Sequence, residues 1–206
     1  MPNAWLFVSA LIGYLLGSLP FGYLVARTHG VDIFKVGSGN PGATNVKRTL
    51  GAKAGNTVLV LDLLKGAAAT AWPLLPLLNA PDPRLMGVIG VIAAVLGHSF
   101  SIFTKFRGGK GVATAAGGLL VLIPLAGAIA GATWLVVFYV SGYVSLGSIL
   151  GAVAVVAASW LLPYHIAVRI VATLVGVFVI LRHRDNIARL LAGTESKFVK
   201  KPPAQP

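Results

Sequence analysis

The sequence predicts an all-α integral membrane protein of about seven transmembrane helices, with the amino terminus outside and the carboxyl terminus cytoplasmic. Three observations predict it. Hydrophobic residues make up 56% of the 206-residue chain and the mean hydropathy is +0.84, above soluble domains, whose apolar fraction sits nearer one half. Charged residues are only 11% and are strongly biased, 17 Lys plus Arg against 5 Asp plus Glu, for a formal net charge of +12. These cations stand in short clusters between long apolar runs. A nucleic-acid binder would carry such charge on one face of a soluble fold, so the clusters are read as topology determinants, with the lipid bilayer as partner and no nucleic acid. There are no cysteines, which excludes disulfides, thiolate metal sites and a cysteine nucleophile.

The first apolar run, Ala4 to Ala26, is too long for a signal-peptide core and lacks a basic stretch before it. It is read as a retained helix, with Trp5 and Arg27 as its interfacial anchors. Further runs cover residues 54–78, 85–103, 112–139, 144–162 and 165–181; most suit the roughly 20 residues needed to cross. Residues 112–139 are long for one span and short for two, and Pro124 breaks them after Gly117 and Gly118. Parity decides in favour of a short-helix hairpin around Pro124, with legs of about 13 residues, roughly 20 Å each. A single crossing would strand the basic residues between Arg182 and Lys201 outside, against the positive-inside tendency. Residues 1–192 are then one polytopic domain. Residues 193–206 are expected to form a polar cytoplasmic tail without order.

Polar motifs interrupt this pattern in four places. GSGNPGATNVKR, Gly37 to Arg48, formally contains G-x-G-x-x-G with Asp62 downstream, but the flanks are membrane helices rather than a strand in a parallel sheet, so the dinucleotide reading fails. Its physical content remains: Gly39 and Gly42 let backbone amides approach an anion, Ser38, Asn40, Thr44 and Asn45 offer neutral hydrogen bonds, and Arg48 offers charge. The competing reading is a polar loop whose Asn and Gly serve turns and a helix cap.

KFRGGKGVAT, Lys105 to Thr114, sets Gly108, Gly109 and Gly111 around Lys110 at a helix start, a combination suited to phosphate. It is not a Walker A loop, since Gly rather than Ser or Thr follows Lys110. The competing reading is a positive-inside cluster with flexible glycines. SLGS places Ser145 and Ser148 three apart on one helical face, where they cap, bind a ligand, or pack as small residues. RHRDNIARL brings His183 and Asn186 to one face; His183 either holds a hydroxyl or phosphate or moves a proton, unless it is an interfacial polar group.

Asp62 and Lys65 lie inside a span and, at i and i+3, either neutralise each other structurally or serve function. His98 precedes the glycine loop and is read as its support. No H-x-x-x-x-D pair, metal cluster or Ser-His-Asp order is present; neither metal nor cofactor is expected, and chemistry on a pre-activated substrate needs little beyond positioning and charge stabilisation.

GSGNPGATNVKR, GHSFSIFTKFRGGKGVAT, SLGSILG and RHRDNIARLLAGTE, with LLGSLPFGYLVAR and LDLLKG, resemble in order the bacterial acyl-phosphate:glycerol-3-phosphate acyltransferase family, PlsY. The resemblance implies a seven-helix enzyme of the bacterial inner membrane, active at the cytoplasmic face in phospholipid biosynthesis. Such an enzyme moves an acyl group from acyl phosphate to the 1-hydroxyl of glycerol 3-phosphate, giving lysophosphatidic acid and phosphate. It also implies a soluble enzyme that supplies acyl phosphate. Matched by motif, Ser38, Gly39, Asn40, Thr44, Asn45 and Arg48 line the polar site, Gly108, Gly109, Lys110 and Gly111 bind phosphate, and Ser145, Ser148, His183 and Asn186 complete it. Ser38, Arg48, Lys110, His183 and Asn186 are the expected catalytic set. Pro41 departs from the family pattern and stiffens its loop. The alternative class is a transporter or flippase for an organic phosphate, which would want its site at the midplane; a structural subunit that gathers anionic lipid explains the charge but not the Ser and Asn pattern.

Overall fold

The computed structural model describes residues 2–198. Ten α-helices account for most of them: α1 (Pro2–Ser18), α2 (Phe21–Thr28), α3 (Ala43–Leu50), α4 (Ala52–Ala71), α5 (Pro83–Ser99), α6 (Val112–Leu122), α7 (Pro124–Ser141), α8 (Val144–Leu161), α9 (Ile166–Arg182) and α10 (Arg184–Leu191). Short 3-10 turns follow α4 and α5, and no strand occurs among the described residues. An all-helical chain is one of the two architectures a bilayer allows, since a helix pairs the backbone N–H and C=O groups in hydrocarbon within its own segment. Ala4–Thr28, Ala52–Leu74, Pro83–Thr104, Pro124–Ser141 and Val144–Leu161 are long and apolar enough to cross a membrane, and α9 with α10, bent by 57°, adds a sixth segment. The remaining apolar helix is α6.

The hairpin around Pro124 is present, but its legs are unequal. α6 has 11 residues, about 16 Å at 1.5 Å per residue, whereas α7 has 18 and runs on to Ser141, where Gly142 at φ 75 ends it. Pro124 sits at the first turn of α7, where its missing N–H costs nothing. The first run is likewise not one helix. Pro20 cannot donate to Leu16 and its ring crowds the preceding turn, so α1 stops at Ser18 and α2 starts at Phe21. The break frees two carbonyls, and both are taken: Ser101 Oγ donates to Ser18 O at 2.6 Å, and Lys65 Nζ donates to Leu19 O at 2.8 Å.

Between helices in lipid, packing and hydrogen bonds rather than water exclusion drive association. α1 and α5 meet at small residues: a Cβ on Gly17 would lie 2.1 Å from Ala94 O, and one on Gly97 2.3 Å from Tyr14 O. Ser9 Oγ adds a bond to Met86 O at 2.7 Å. The larger core joins α5, α6, α8 and α9 through Val91, Leu119, Ile123, Val155, Val171 and Val175. A smaller cluster of Ala26, Ile33, Val46, Ala54 and Val58 seats α3 and its preceding loop against α2 and α4. Outward apolar side chains such as Val140, Leu161 and Tyr139 stay exposed, as a lipid-facing surface requires.

The close approach of α1 to α5 predicts that Gly17→Ala destabilises the detergent-solubilised protein by about 1–3 kcal/mol, the cost of overpacking, read as a lower thermal midpoint. Gly131→Ala, where a Cβ meets nothing within 4 Å, should leave the midpoint unchanged or raise it, because Ala is the better helix former.

Candidate active site

The four polar motifs converge on one cavity of about 910 Å³. Its polar end is lined by Ser38, Asn40, Thr44, Asn45, Arg48, Lys110, Gly111, Ser145, Ser148, His183 and Asn186. Its other end is an apolar arm between α6, α7, α8 and α9, walled by Leu119, Leu120, Ala130, Trp134, Val155 and Val175.

The first loop is shaped by Asn45, which is buried. Its Oδ1 accepts from Ser38 N at 3.0 Å and its Nδ2 donates to Val36 O at 3.1 Å. Gly37, at φ 57, passes so close that a Cβ there would sit 2.2 Å from Asn45 Oδ1. Asn40 Oδ1 accepts from Gly42 N at 2.8 Å, closing the turn that starts α3. Asn45 therefore spends its side chain on the loop, while Asn40 uses its Oδ1 there and still borders the cavity. Ser38 and Thr44 border the cavity beside the start of α3, whose first N–H groups have no intrahelical acceptor.

The second motif delivers Lys110. Its Nζ donates to Asn186 Oδ1, and Asn186 Nδ2 donates to Glu195 Oε1 at 2.6 Å. Glu195 also accepts from Ser145 Oγ at 2.6 Å and from Arg189 Nε at 2.7 Å. One carboxylate thus ties α8, α10 and the segment after α10 to the glycine loop. Burial alone would raise the Glu195 pKa, but the hydrogen bonds from Ser145, Asn186 and Arg189, with the Arg189 charge, hold it below the usual carboxylate range. Burial pushes the Lys110 ammonium down to about 8, with the nearby Glu195 carboxylate opposing the shift.

His183 closes α9. Its Nδ1 lies 2.8 Å from Val179 O, so Nδ1 carries the hydrogen and Nε2 is the acceptor. Ser148 Oγ donates to Val144 O at 2.9 Å and accepts from Trp134 Nε1 at 3.3 Å, at the junction of polar end and apolar arm. Arg48 donates through Nη2 to Ser196 O at 2.9 Å. Among the described residues, Arg48 and Lys110 are cavity-lining cations with no carboxylate in salt-bridge contact, whereas Arg189 is paired with Glu195 at 2.7 Å. Two such cations at the polar end suit two anionic groups.

Three expected glycines do not line this cavity. Gly39, at φ 67, closes a turn in which its N–H donates to Val36 O at 3.0 Å. Gly108 and Gly109 pack on the end of α5, and the Gly109 N–H is already donated to His98 O at 3.1 Å, with Arg182 donating to Gly109 O at 3.0 Å. The Gly109 amide thus supports the loop instead of facing the cavity, and Gly108 packs so closely on α5 that a Cβ there would meet His98 O.

Glu195 is the cavity-lining side chain that the sequence reading left in the tail. Residues 193–198 fold back over the site instead of leaving it: Gly193 takes φ 70, Phe198 N donates to Gly142 O at 2.8 Å, and the Phe198 ring packs against Phe138 with Lys47 and Arg48 above it. A lone acid within LLAGTESK was the available signal. The rest of the expected tail, residues 199–206, lies outside the described residues.

A family model described as glycerol-3-phosphate acyltransferase matches residues 7–193. Relatives of that name from Desulforamulus reducens and Bacillus subtilis are each 45% identical, over 94% and 91% of this chain and 96% and 94% of theirs. Two crystal structures of PlsY, described as an integral membrane glycerol 3-phosphate acyltransferase, superpose with TM-scores of 0.87 and 0.85 at 39% and 38% identity. They cover 94% of this chain and 96% and 95% of theirs, and are a glycerol 3-phosphate form and a lysophosphatidic acid form. Family, fold and a cavity that joins cations to an apolar arm agree, and the chain belongs to the glycerol-3-phosphate acyltransferase family as an acyl-transferring membrane enzyme.

Proposed function

We propose that the donor is acyl phosphate, and that the enzyme works at the cytoplasmic face of the bacterial inner membrane with its amino terminus outside. The observation that carries this reading is one cavity with two cations outside any salt bridge, Arg48 and Lys110, at one end and an apolar arm at the other. A transferase that joins a fatty chain to a phosphorylated polyol needs such a site. The arm takes the acyl chain from the bilayer. Lys110 and Arg48 take the donor phosphate and the phosphate of glycerol 3-phosphate. His183 Nε2 and Asn186 hold the polyol, with Ser38, Thr44, Ser145 and Ser148 shaping the polar end. The break between α6 and α7 at Pro124 supports counting both as crossings, and a count of seven would put the basic loops and the carboxyl-terminal segment on one side. A soluble enzyme that makes acyl phosphate would deliver it there.

In this reaction the 1-hydroxyl oxygen attacks the acyl carbon, and the bond from that carbon to the phosphate oxygen breaks. The hydroxyl proton passes to the departing phosphate, which leaves as inorganic phosphate. No side chain has to act as the base, since the leaving group can take the proton. Lys110 and Arg48 lower the barrier by meeting charge that grows on the phosphate oxygens, in a partly desolvated chamber where such contacts count most.

The purified protein should release one phosphate per lysophosphatidic acid from palmitoyl phosphate and glycerol 3-phosphate, and none of the product from palmitoyl-CoA. Equal use of the CoA donor would overturn the reading. Lys110→Ala should lower turnover by about 10²–10³-fold, the range for losing one preorganised donor to a developing anion. For pH, Lys110 is cationic below its value of about 8, so kcat/KM is retained below that pH and falls as pH rises through it. Lys110→Arg, charged at every accessible pH, should show lower turnover with that alkaline limb flattened.

A further inference from the structure

The mechanism makes no use of a buried charged cluster at the foot of the glycine loop, of which Asp62 and His98 also border the cavity. Asp62 and Lys65 on α4 are paired at 2.8 Å with side chains 3% and 2% exposed, and His98 at the end of α5 turns its Nδ1 to the same carboxylate oxygen at 3.6 Å. Charges placed here are costly, and a structural ion pair alone is often matched by apolar packing of the same volume. The cluster has two outward connections. Lys65 reaches the Leu19 carbonyl freed by Pro20, which fixes the pair to the break between α1 and α2. On the other side His98 meets Gly109 twice: its backbone carbonyl accepts the Gly109 N–H at 3.1 Å, and its ring lies where a Gly109 side chain would be, with Nε2 2.1 Å from an ideal Cβ. Arg182 holds the Gly109 carbonyl from the opposite direction at 3.0 Å.

Gly109 is therefore clamped from both sides, and the next residue is Lys110. A lysine has a long stem with high rotamer entropy; its ammonium can be aimed only if the backbone at its root is held. We propose that His98, braced by the Asp62–Lys65 pair and packed against Gly109, is the positioning residue that sets where Lys110 points. The inference rests on Lys110 as the phosphate ligand of the acyltransferase. His98 touches no reacting atom in this account; it acts through the loop.

The test has one arm that needs no substrate. Hydrogen exchange over residues 105–115 of the unliganded protein should quicken at least about tenfold in His98→Ala, the size expected when a local opening loses about 1.4 kcal/mol of protection, while peptides from α7 and α8 keep their rates. The second arm is a kinetic cycle. His98→Ala should lower kcat/KM by about 10²-fold, as a misplacement near 1 Å does. The same change in a Lys110→Ala background should cost less than about twofold, since a residue that acts through Lys110 has nothing left to aim.

The third arm is steric. Gly109→Ala should impair the enzyme strongly when His98 is present and much less in His98→Ala, where the space has been opened. If His98→Ala does not yield monodisperse protein, His98→Asn replaces it in every arm, keeping a polar group toward Asp62 while removing the ring edge at Gly109. Unchanged exchange in the loop overturns the proposal, and so does an equal kinetic cost with and without Lys110. If the wild-type protein turns over no acyl phosphate, the functional reading fails, while the exchange and its response to Gly109→Ala still decide whether His98 holds the loop.

Discussion

The Glu195 carboxylate is the interaction on which the site depends. It accepts from Ser145, Asn186 and Arg189, and through Asn186 it reaches Lys110. Those residues come from α8, α10 and the loop before α6, which have no reason to meet in a membrane bundle unless a polar centre draws them together. A buried carboxylate with its acceptor capacity filled costs little, and one left without partners costs a great deal. The arrangement is accordingly all or nothing. Holding Glu195 also folds residues 193–198 over the cavity, which brings the Ser196 carbonyl to Arg48.

The membrane sets the other constraint. Helices that share hydrocarbon as solvent gain little by hiding Leu from lipid, so the bundle is assembled by small residues at contacts and by hydrogen bonds at helix breaks. Pro20, Gly111 and Pro124 each end or start a helix where a functional or packing group is needed. The break at Pro20 gives Lys65 a carbonyl, φ 80 at Gly111 turns the chain into α6 just after Lys110, and Pro124 turns it back so that α7 can wall the apolar arm. The polar end and the apolar arm lie in one cavity that α6 borders along its length, with Lys110 and Gly111 just before its first turn and Leu119 and Leu120 near its end.

Much of this was legible in the residues. The class of fold, the helix break before Pro124 and the convergence of four motifs all follow from apolar run length, charge clusters and small-residue spacing, signals that act locally. Gly37 to Arg48 was read as an anion loop, and Arg48, Ser38 and Thr44 do face the cavity. What was missed depends on which backbone groups the polar side chains and loop amides meet. Asn45 commits its amide to the loop's own backbone, the turn-forming role that its residue type also allowed. Gly108 and Gly109 read as a phosphate cradle, yet a backbone run over the end of α5 takes the Gly109 amide. Glu195 read as tail because its partners lie 9 and 50 positions away, and no periodicity reports such a contact.

The central claim is that Lys110 is a charged group held in a partly desolvated chamber and aimed at an anion. It is tested most directly by titrating Lys110 itself, with 13C-methylated lysines followed by NMR and the Lys110 signal assigned by its loss in Lys110→Arg. The account predicts a midpoint near 8 in the free protein, moving upward when inorganic phosphate is added, because a bound anion favours the cation. A midpoint at the ordinary lysine value that ignores phosphate would contradict it.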